Sequence, residues 1–182
     1  MPEEVRVLVL GLGNPILTDD GVGIYVARKA RSLLAGRPVE IVEASVGGLG
    51  VLDLIQGYDA LVVVDSMLSE KLQPGEIAEL DLDSLMKTQR LGPVHGVNFA
   101  TVLALGRDLG LPVPEHVEIY VIGVRDVESF GEQCTPEVAA AVHRGAHLVK
   151  ERVIAYLDHV ERKKTPPYRR HGQLPKSEPS QA

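Results

Sequence analysis

Apolar residues fall in short bursts along this chain, and the spacing inside each burst predicts its element. Val5–Leu10 is nearly continuous, too apolar for a strand with one wet face, and predicts a buried strand. Val22, Val26, Ala30, Leu33 and Leu34 then recur at helical spacing, which predicts a helix from about Asp20 to Ala35. "RPVEIVEA" predicts a second strand, and "GGLGVLDLIQG" a short helix with Leu49, Leu52 and Ile55 on one face. "YDALVVVD" predicts a third strand, again almost wholly apolar and ending at Asp65. In "LQPGEIAELDL", Pro74-Gly75 signals a turn, and Ala78, Leu80 and Leu82 alternate as in a half-exposed strand. "GVNFATVLALGRDLG" is helical through Phe99, Val102 and Leu103, and "HVEIYVIGV" is a fifth strand. A long helix then opens at "CTPEVAAAV", with Thr135 as N-cap and Pro136 at the first helical position. Val138, Val142, Val149, Val153 and Tyr156 supply its inner face.

Strands alternating with helices imply parallel βαβ units. The expected fold is α/β: a three-layer α/β/α sandwich around a mostly parallel central sheet of about five strands. Residues 1–162 form one domain in this reading. Residues 163–182 carry four prolines and five Lys/Arg against one acid, and read as a basic, disordered tail. No internal repeat is visible.

Composition narrows the class. Hydrophobic residues make up 45% of the 182, which excludes a mainly disordered chain. No apolar run approaches the ~20 residues of a membrane span. The first strand pattern starts without a basic segment and cleavable apolar stretch before it, so no secretory signal is expected. Cys134 is the single cysteine, which excludes an internal disulfide and a Cys-rich zinc site and suits a reducing, cytoplasmic location. Net charge is −6, but residues 1–162 hold 14 basic and 24 acidic side chains, a balance of −10. Such a body is a poor match for nucleic acid or polyphosphate. A protein partner or a metal centre suits it better.

The candidate chemistry begins in "VLVLGLGNPILTDDGVG". Gly11 and Gly13 fit a dinucleotide fingerprint, but Ile16 stands where its third glycine belongs. Pro15 also removes a backbone N–H from any phosphate cradle. The glycines therefore read as a tight strand-to-helix turn. It delivers Asp19 and Asp20 to the start of a helix, where one carboxylate can cap and the other face a cleft. Asp65 is a charged group at the end of a buried strand, and in open α/β sheets sites lie at the carboxyl ends of strands. Of six histidines, His143, His147 and His159 fall on the long helix, His171 in the tail and His116 at a strand start. His95, in "GPVHGVN", is the one on a loop able to reach the carboxyl edge. Asp20, Asp65 and His95 thus share one expected edge. Two carboxylates and an imidazole suit a divalent transition metal such as nickel or zinc, and can equally hold a water for hydrolysis. No Gly-x-Ser-x-Gly elbow is present, and Asp65-Ser66 is followed by Met67, so no Asp-Ser-Gly exists. Cys134 has no evident base beside it and reads as structural.

"GLGNPILTDDGVG", "ALVVVDSM" and "GPVHGVNFATVLAL" resemble, in order and at similar spacing, the three blocks of the hydrogenase maturation endopeptidases. The resemblance covers roughly residues 5–157 and implies a phosphorylase/hydrolase-like sandwich. It also implies that Asp20, Asp65 and His95 form a metal-binding site. The implied activity is removal of the C-terminal extension from the [NiFe]-hydrogenase large-subunit precursor after nickel insertion. The nickel is then that of the substrate's centre, and zinc or cadmium could occupy the same site. On this reading Asp20 and Asp65 are the catalytic carboxylates of an aspartic-type endopeptidase, acting as a cytoplasmic monomer. Where many members carry a Gly-Gly-Thr-like turn after the second strand, this chain has Ala44, Ser45 and Val46 ahead of Gly47-Gly48. Peptidyl-tRNA hydrolases share the Gly-Leu-Gly-Asn-Pro opening. "TDDGVG" here puts Asp20 where their catalytic histidine would stand, and the acidic body disfavours tRNA. A non-catalytic nucleotide or small-molecule binding module is the rival from another class.

Overall fold

A computed structural model of the chain describes residues 5–82 and 99–164. The elements run β1 (Val7–Leu12), a 3₁₀ turn (Thr18–Gly21), α1 (Val22–Leu33), β2 (Val39–Ala44), α2 (Gly50–Ile55), β3 (Ala60–Leu68) and β4 (Ile77–Leu80). They continue with α3 (Phe99–Asp108), β5 (His116–Val124) and α4 (Pro136–Lys164). One five-stranded sheet has the order β2-β1-β3-β5-β4. The first four strands are parallel, and β4 joins the edge antiparallel to β5.

Alternation along the strands makes the three layers. Val7 and Val9 of β1, with Val62 and Val64 of β3, face the side covered by Val22 and Val26 of α1 and by Val138, Val149 and Val153 of α4. Leu8, Leu10, Leu61 and Val63 face the opposite side, against Val51 and Ile55 of α2 and Phe99 and Leu103 of α3. Both faces are dry, so the central strands read as unbroken apolar runs. Helix α1 lies on the sheet at backbone contact. A Cβ at Gly23 would stand 2.2 Å from Leu12 O and 2.4 Å from Val64 O. That approach sets the height of the turn that precedes α1.

Three expectations need correction. Helix α1 starts at Val22, because Thr18–Gly21 winds as a 3₁₀ turn first. Leu49 is exposed at the mouth of α2, and Val51 takes the inward position beside Leu52 and Ile55. Strand β3 does not end at Asp65 but continues to Leu68, because β5 remains available for pairing. Helix α4 runs to Lys164, and the rest of the tail expected to be disordered lies outside the described residues. Among the described residues, no helix is long and apolar enough to cross a membrane.

Candidate active site

The carboxyl edge of the sheet is stepped. Pairing of β1 with β3 stops at Gly11↔Val64, whereas β5 stays in register with β3 as far as Leu68↔Val124. Asp65 is therefore the first β3 residue beyond the reach of β1. Over this step passes the turn that carries Asp20.

The two expected carboxylates are brought together through Ser66. Ser66 Oγ donates to Asp20 Oδ1 at 3.0 Å, and Ser66 N donates to Asp65 Oδ1 at 2.7 Å. Asp65 and Ser66 are fully buried and Asp20 nearly so. Asn14 N donates to Asp20 Oδ2 at 3.1 Å, which fixes the second oxygen from the glycine-turn side. Gly13 explains why that turn needs glycine. Its φ is +150°, and a Cβ there would stand 2.2 Å from Asp20 O. Gly13 is also tied to the segment after β2, through Gly13 N to Ala44 O at 3.2 Å and Ser45 Oγ to Gly13 O at 2.7 Å.

Asp19 turns the other way. It makes no capping bond within its own turn or α1. Its Oδ2 accepts from Arg125 N at 3.3 Å, Asp126 N at 3.2 Å and Thr135 Oγ1 at 3.0 Å, and its Oδ1 from Thr135 N at 2.6 Å. The expected capping neighbour is thus an anchor between the first loop, the loop after β5 and the start of α4. Ala139 N donates to Thr135 O at 2.8 Å, as the N-cap assignment requires. Cys134 Sγ lies 3.6 Å from Thr18 O. Burial, and then the nearby Asp19 charge, push its thiol up to about 12, as an inert structural cysteine requires.

His95 lies outside the described residues, so its place relative to Asp20 and Asp65 is an expectation of the sequence. Among the described residues, no three His, Cys, Asp or Glu side chains gather as a metal site. The donor set expected here, two carboxylates and one imidazole, suits a borderline divalent ion. His143 and His147 lie tilted against each other on α4, with ring centroids 4.4 Å apart. His116 opens β5 at the opposite end of the sheet, as expected.

That opposite end holds the larger groove, about 860 Å³, lined by Arg6, Tyr58, His116, Arg152 and Tyr156 among others. Its buried acid is already engaged. Arg152 Nε and Nη2 donate to Glu118 at 2.7 and 2.8 Å, Tyr120 OH donates at 2.9 Å, and His116 Nε2 lies 2.9 Å from Oε1. Burial raises the Glu118 carboxyl, but the bonds from Arg152, His116 and Tyr120 together outweigh it and bring the group to about 2. This network clamps β5 to α4. At the carboxyl edge a cleft of about 700 Å³ opens between Leu68, Arg125–Ser129 and Thr135.

Sequence reasoning passed over Ser66 as a site residue. Its signal was a hydroxyl directly after a buried strand carboxylate. The partners of Asp19 left no local signal, being more than a hundred residues away.

The HycI family model, described as hydrogenase maturation protease, matches residues 24–152. That stretch includes Asp65 and His95 and starts just after Asp20. The hydrogenase 2 maturation protease of Escherichia coli K12 is 30% identical over 151 residues, spanning 76% of this chain and 91% of its own. The hydrogenase expression/formation protein HupD of Thiocapsa roseopersicina is 29% identical over 156 residues, with 83% and 69% covered. Among solved structures, the hydrogenase maturating endopeptidase HybD of Escherichia coli superposes with a TM-score of 0.68 at 26% identity, covering 86% of this chain and 94% of that one. A sandwich with this sheet, an acidic pair at its carboxyl edge and these relatives leave one assignment: the chain belongs to the hydrogenase maturation protease family.

Proposed function

We propose that this peptidase removes the C-terminal extension of a [NiFe]-hydrogenase large-subunit precursor, and that it recognises the nickel already seated in that substrate. The observation that carries the reading is the Asp65–Ser66–Asp20 hydrogen-bonded chain at the carboxyl edge, in a protein whose relatives are maturation proteases. Neither a nucleotide-binding module nor a tRNA hydrolase accounts for those relatives.

In this reading Asp20 and Asp65 present carboxylate oxygens toward the substrate's metal, with His95 as the third donor. Ser66 and the Asn14 amide hold Asp20 in one orientation. The precursor tail lies across the cleft so that its scissile carbonyl sits beside a polarising cation. A carboxylate then takes a proton from the attacking water, which is aspartic-type chemistry. Metal contact and proton acceptance are both within reach of Asp20 and Asp65. Zinc or cadmium could take the same donors.

Incubating the chain with nickel-loaded precursor and weighing the large subunit tests this. The expected result is loss of a C-terminal fragment, absent with nickel-free precursor. Asp65→Ala should abolish the mass change. An unchanged large subunit would remove the proposal, and equal cleavage without nickel would remove the recognition step.

A further inference from the structure

Among the described residues, six large hydrophobic side chains are exposed, and five of them lie on carboxyl-edge segments: Ile16, Val46, Leu49, Leu68 and Phe130. The outlier is Leu109, after α3. Phe130 is the extreme case at 84% exposure. An aromatic ring left in water on a mobile loop would mean little. Phe130 is not on such a loop.

Its backbone is pinned on both sides. Thr18 Oγ1 donates to Ser129 O at 2.7 Å, and Ser129 N donates to Asp126 Oδ1 at 2.9 Å. Gly131 N donates to Ile16 O at 3.0 Å, with Leu17 and Gly131 bridged as in a parallel sheet. Tyr25 OH donates to Glu132 O at 2.8 Å. Thr18 keeps a positive φ of 25° to make its bond, a conformation a β-branched residue adopts only under constraint. Three of the residues that hold the Phe130 segment, Ile16, Leu17 and Thr18, belong to the segment that leads into Asp20. The backbone that carries the ring is therefore held at a fixed offset from the acidic pair.

The surroundings state what would bind. Glu128 and Glu132 flank Phe130 two residues away on either side, all three exposed. The neighbouring Arg125 is already paired with Glu137 at 3.1 Å, so the carboxylates are in excess. Leu68, 56% exposed, lines the 700 Å³ cleft together with Glu128 and Ser129. An aromatic side chain with two rotatable bonds on a pinned backbone loses little conformational freedom on binding, and a few such anchors carry most of an interface's affinity. Excess carboxylates select a cationic partner.

We propose that Phe130, between Glu128 and Glu132, is a docking point for the polypeptide substrate, engaging a segment that combines an apolar side chain with Lys or Arg. The proposal rests on the peptidase reading for the identity of the substrate. The test measures binding of the full chain to nickel-loaded large-subunit precursor, with cleavage followed separately by mass. Phe130→Ala should weaken binding at least tenfold, and Phe130→Leu should restore much of it. Glu128→Gln with Glu132→Gln should weaken binding and flatten its salt dependence. Phe130→Ala should melt within a degree or two of the wild type, since the ring is in water. If the wild type binds and Phe130→Ala binds equally, the docking proposal falls while the peptidase reading stands. If the wild type binds through Phe130 but never cleaves, the peptidase reading falls and the docking surface stands. Failure of the wild type to bind, or a wild-type dimer that Phe130→Ala makes monomeric, overturns the docking proposal.

Discussion

Ser66 Oγ donates to Asp20 Oδ1 at 3.0 Å, so the residue after one buried carboxylate orients the other. A hydroxyl bonded to a charged acceptor contributes about 1.5–3 kcal/mol. Ser66→Ala should lower the thermal midpoint by a few degrees. It should also slow processing about tenfold or more, because Asp20 gains freedom to rotate away from its productive direction. Calorimetry and the mass assay read the two effects separately. An unaltered processing rate would show that Asp20 is oriented by other groups.

The neighbouring aspartates should divide cleanly between stability and activity. Asp19 accepts four hydrogen bonds from two distant segments. Asp19→Ala leaves several buried donors unmatched and should cost about 3 kcal/mol or more. Asp20→Ala should abolish processing with a smaller loss of stability. Urea unfolding beside the mass assay checks both. A stable but inactive Asp19 variant would reverse the assignment.

These two residues also mark how far the sequence could be read. Buried strands declared themselves in runs such as "LVVV", because a sheet covered on both faces needs no polar alternation. Their order and the antiparallel edge came only with the structure, since apolar runs carry no pairing information. The site was half legible. Asp20 and Asp65 could be placed on the carboxyl edge from element boundaries. That Asp19 serves Thr135 depends on a contact across 116 positions, which local patterns do not encode. Strand β3 reads as stopping at Asp65 because a carboxylate closes the apolar run. The strand continues because pairing with β5, not hydrophobicity, decides its end.

Gly13→Ala should disable the site from a position with no functional group. The new methyl would meet Asp20 O at 2.2 Å, on a backbone conformation that L residues avoid. Strain of about 1–3 kcal/mol or a shifted turn follows. The expected result is a lowered thermal midpoint with processing reduced at least tenfold. Wild-type melting and processing in this variant would mean the turn relaxes without moving Asp20.

The Glu118 network should show itself in acid. Its carboxyl falls from the usual 4.5 to about 2, with bonds from Arg152, His116 and Tyr120 overcoming burial. A depressed carboxyl stabilises the fold above its unfolded pKa, and that contribution fades as pH falls toward the folded value. Thermal midpoints should therefore decline between about pH 4.5 and 2. Glu118→Gln should be less stable than the wild type by about 2–3 kcal/mol at neutral pH. The difference should vanish near pH 2. A constant difference across that range would show that the pair contributes through packing instead.

Cys134 should be slow to react. With its thiol pushed up to about 12 by burial and by Asp19, almost no thiolate exists near pH 8. Alkylation by iodoacetamide should run at least tenfold slower than in urea-unfolded chain. Matching rates would mean that the segment opens readily.

The bonds from Asp19 to Thr135 also set a timetable. A carboxylate laid down near the beginning of the chain is secured by backbone laid down almost three-quarters of the way along it. Contacts of such long sequence separation form late, after the chain has closed a large loop. During synthesis, the turn that carries Asp20 lacks its tie to Thr135 until residue 135 has emerged. The bonds that brace this turn against the last helix are thus complete only once the sheet and the start of that helix are in place. A partly made chain would still lack this brace on the turn beside Asp20.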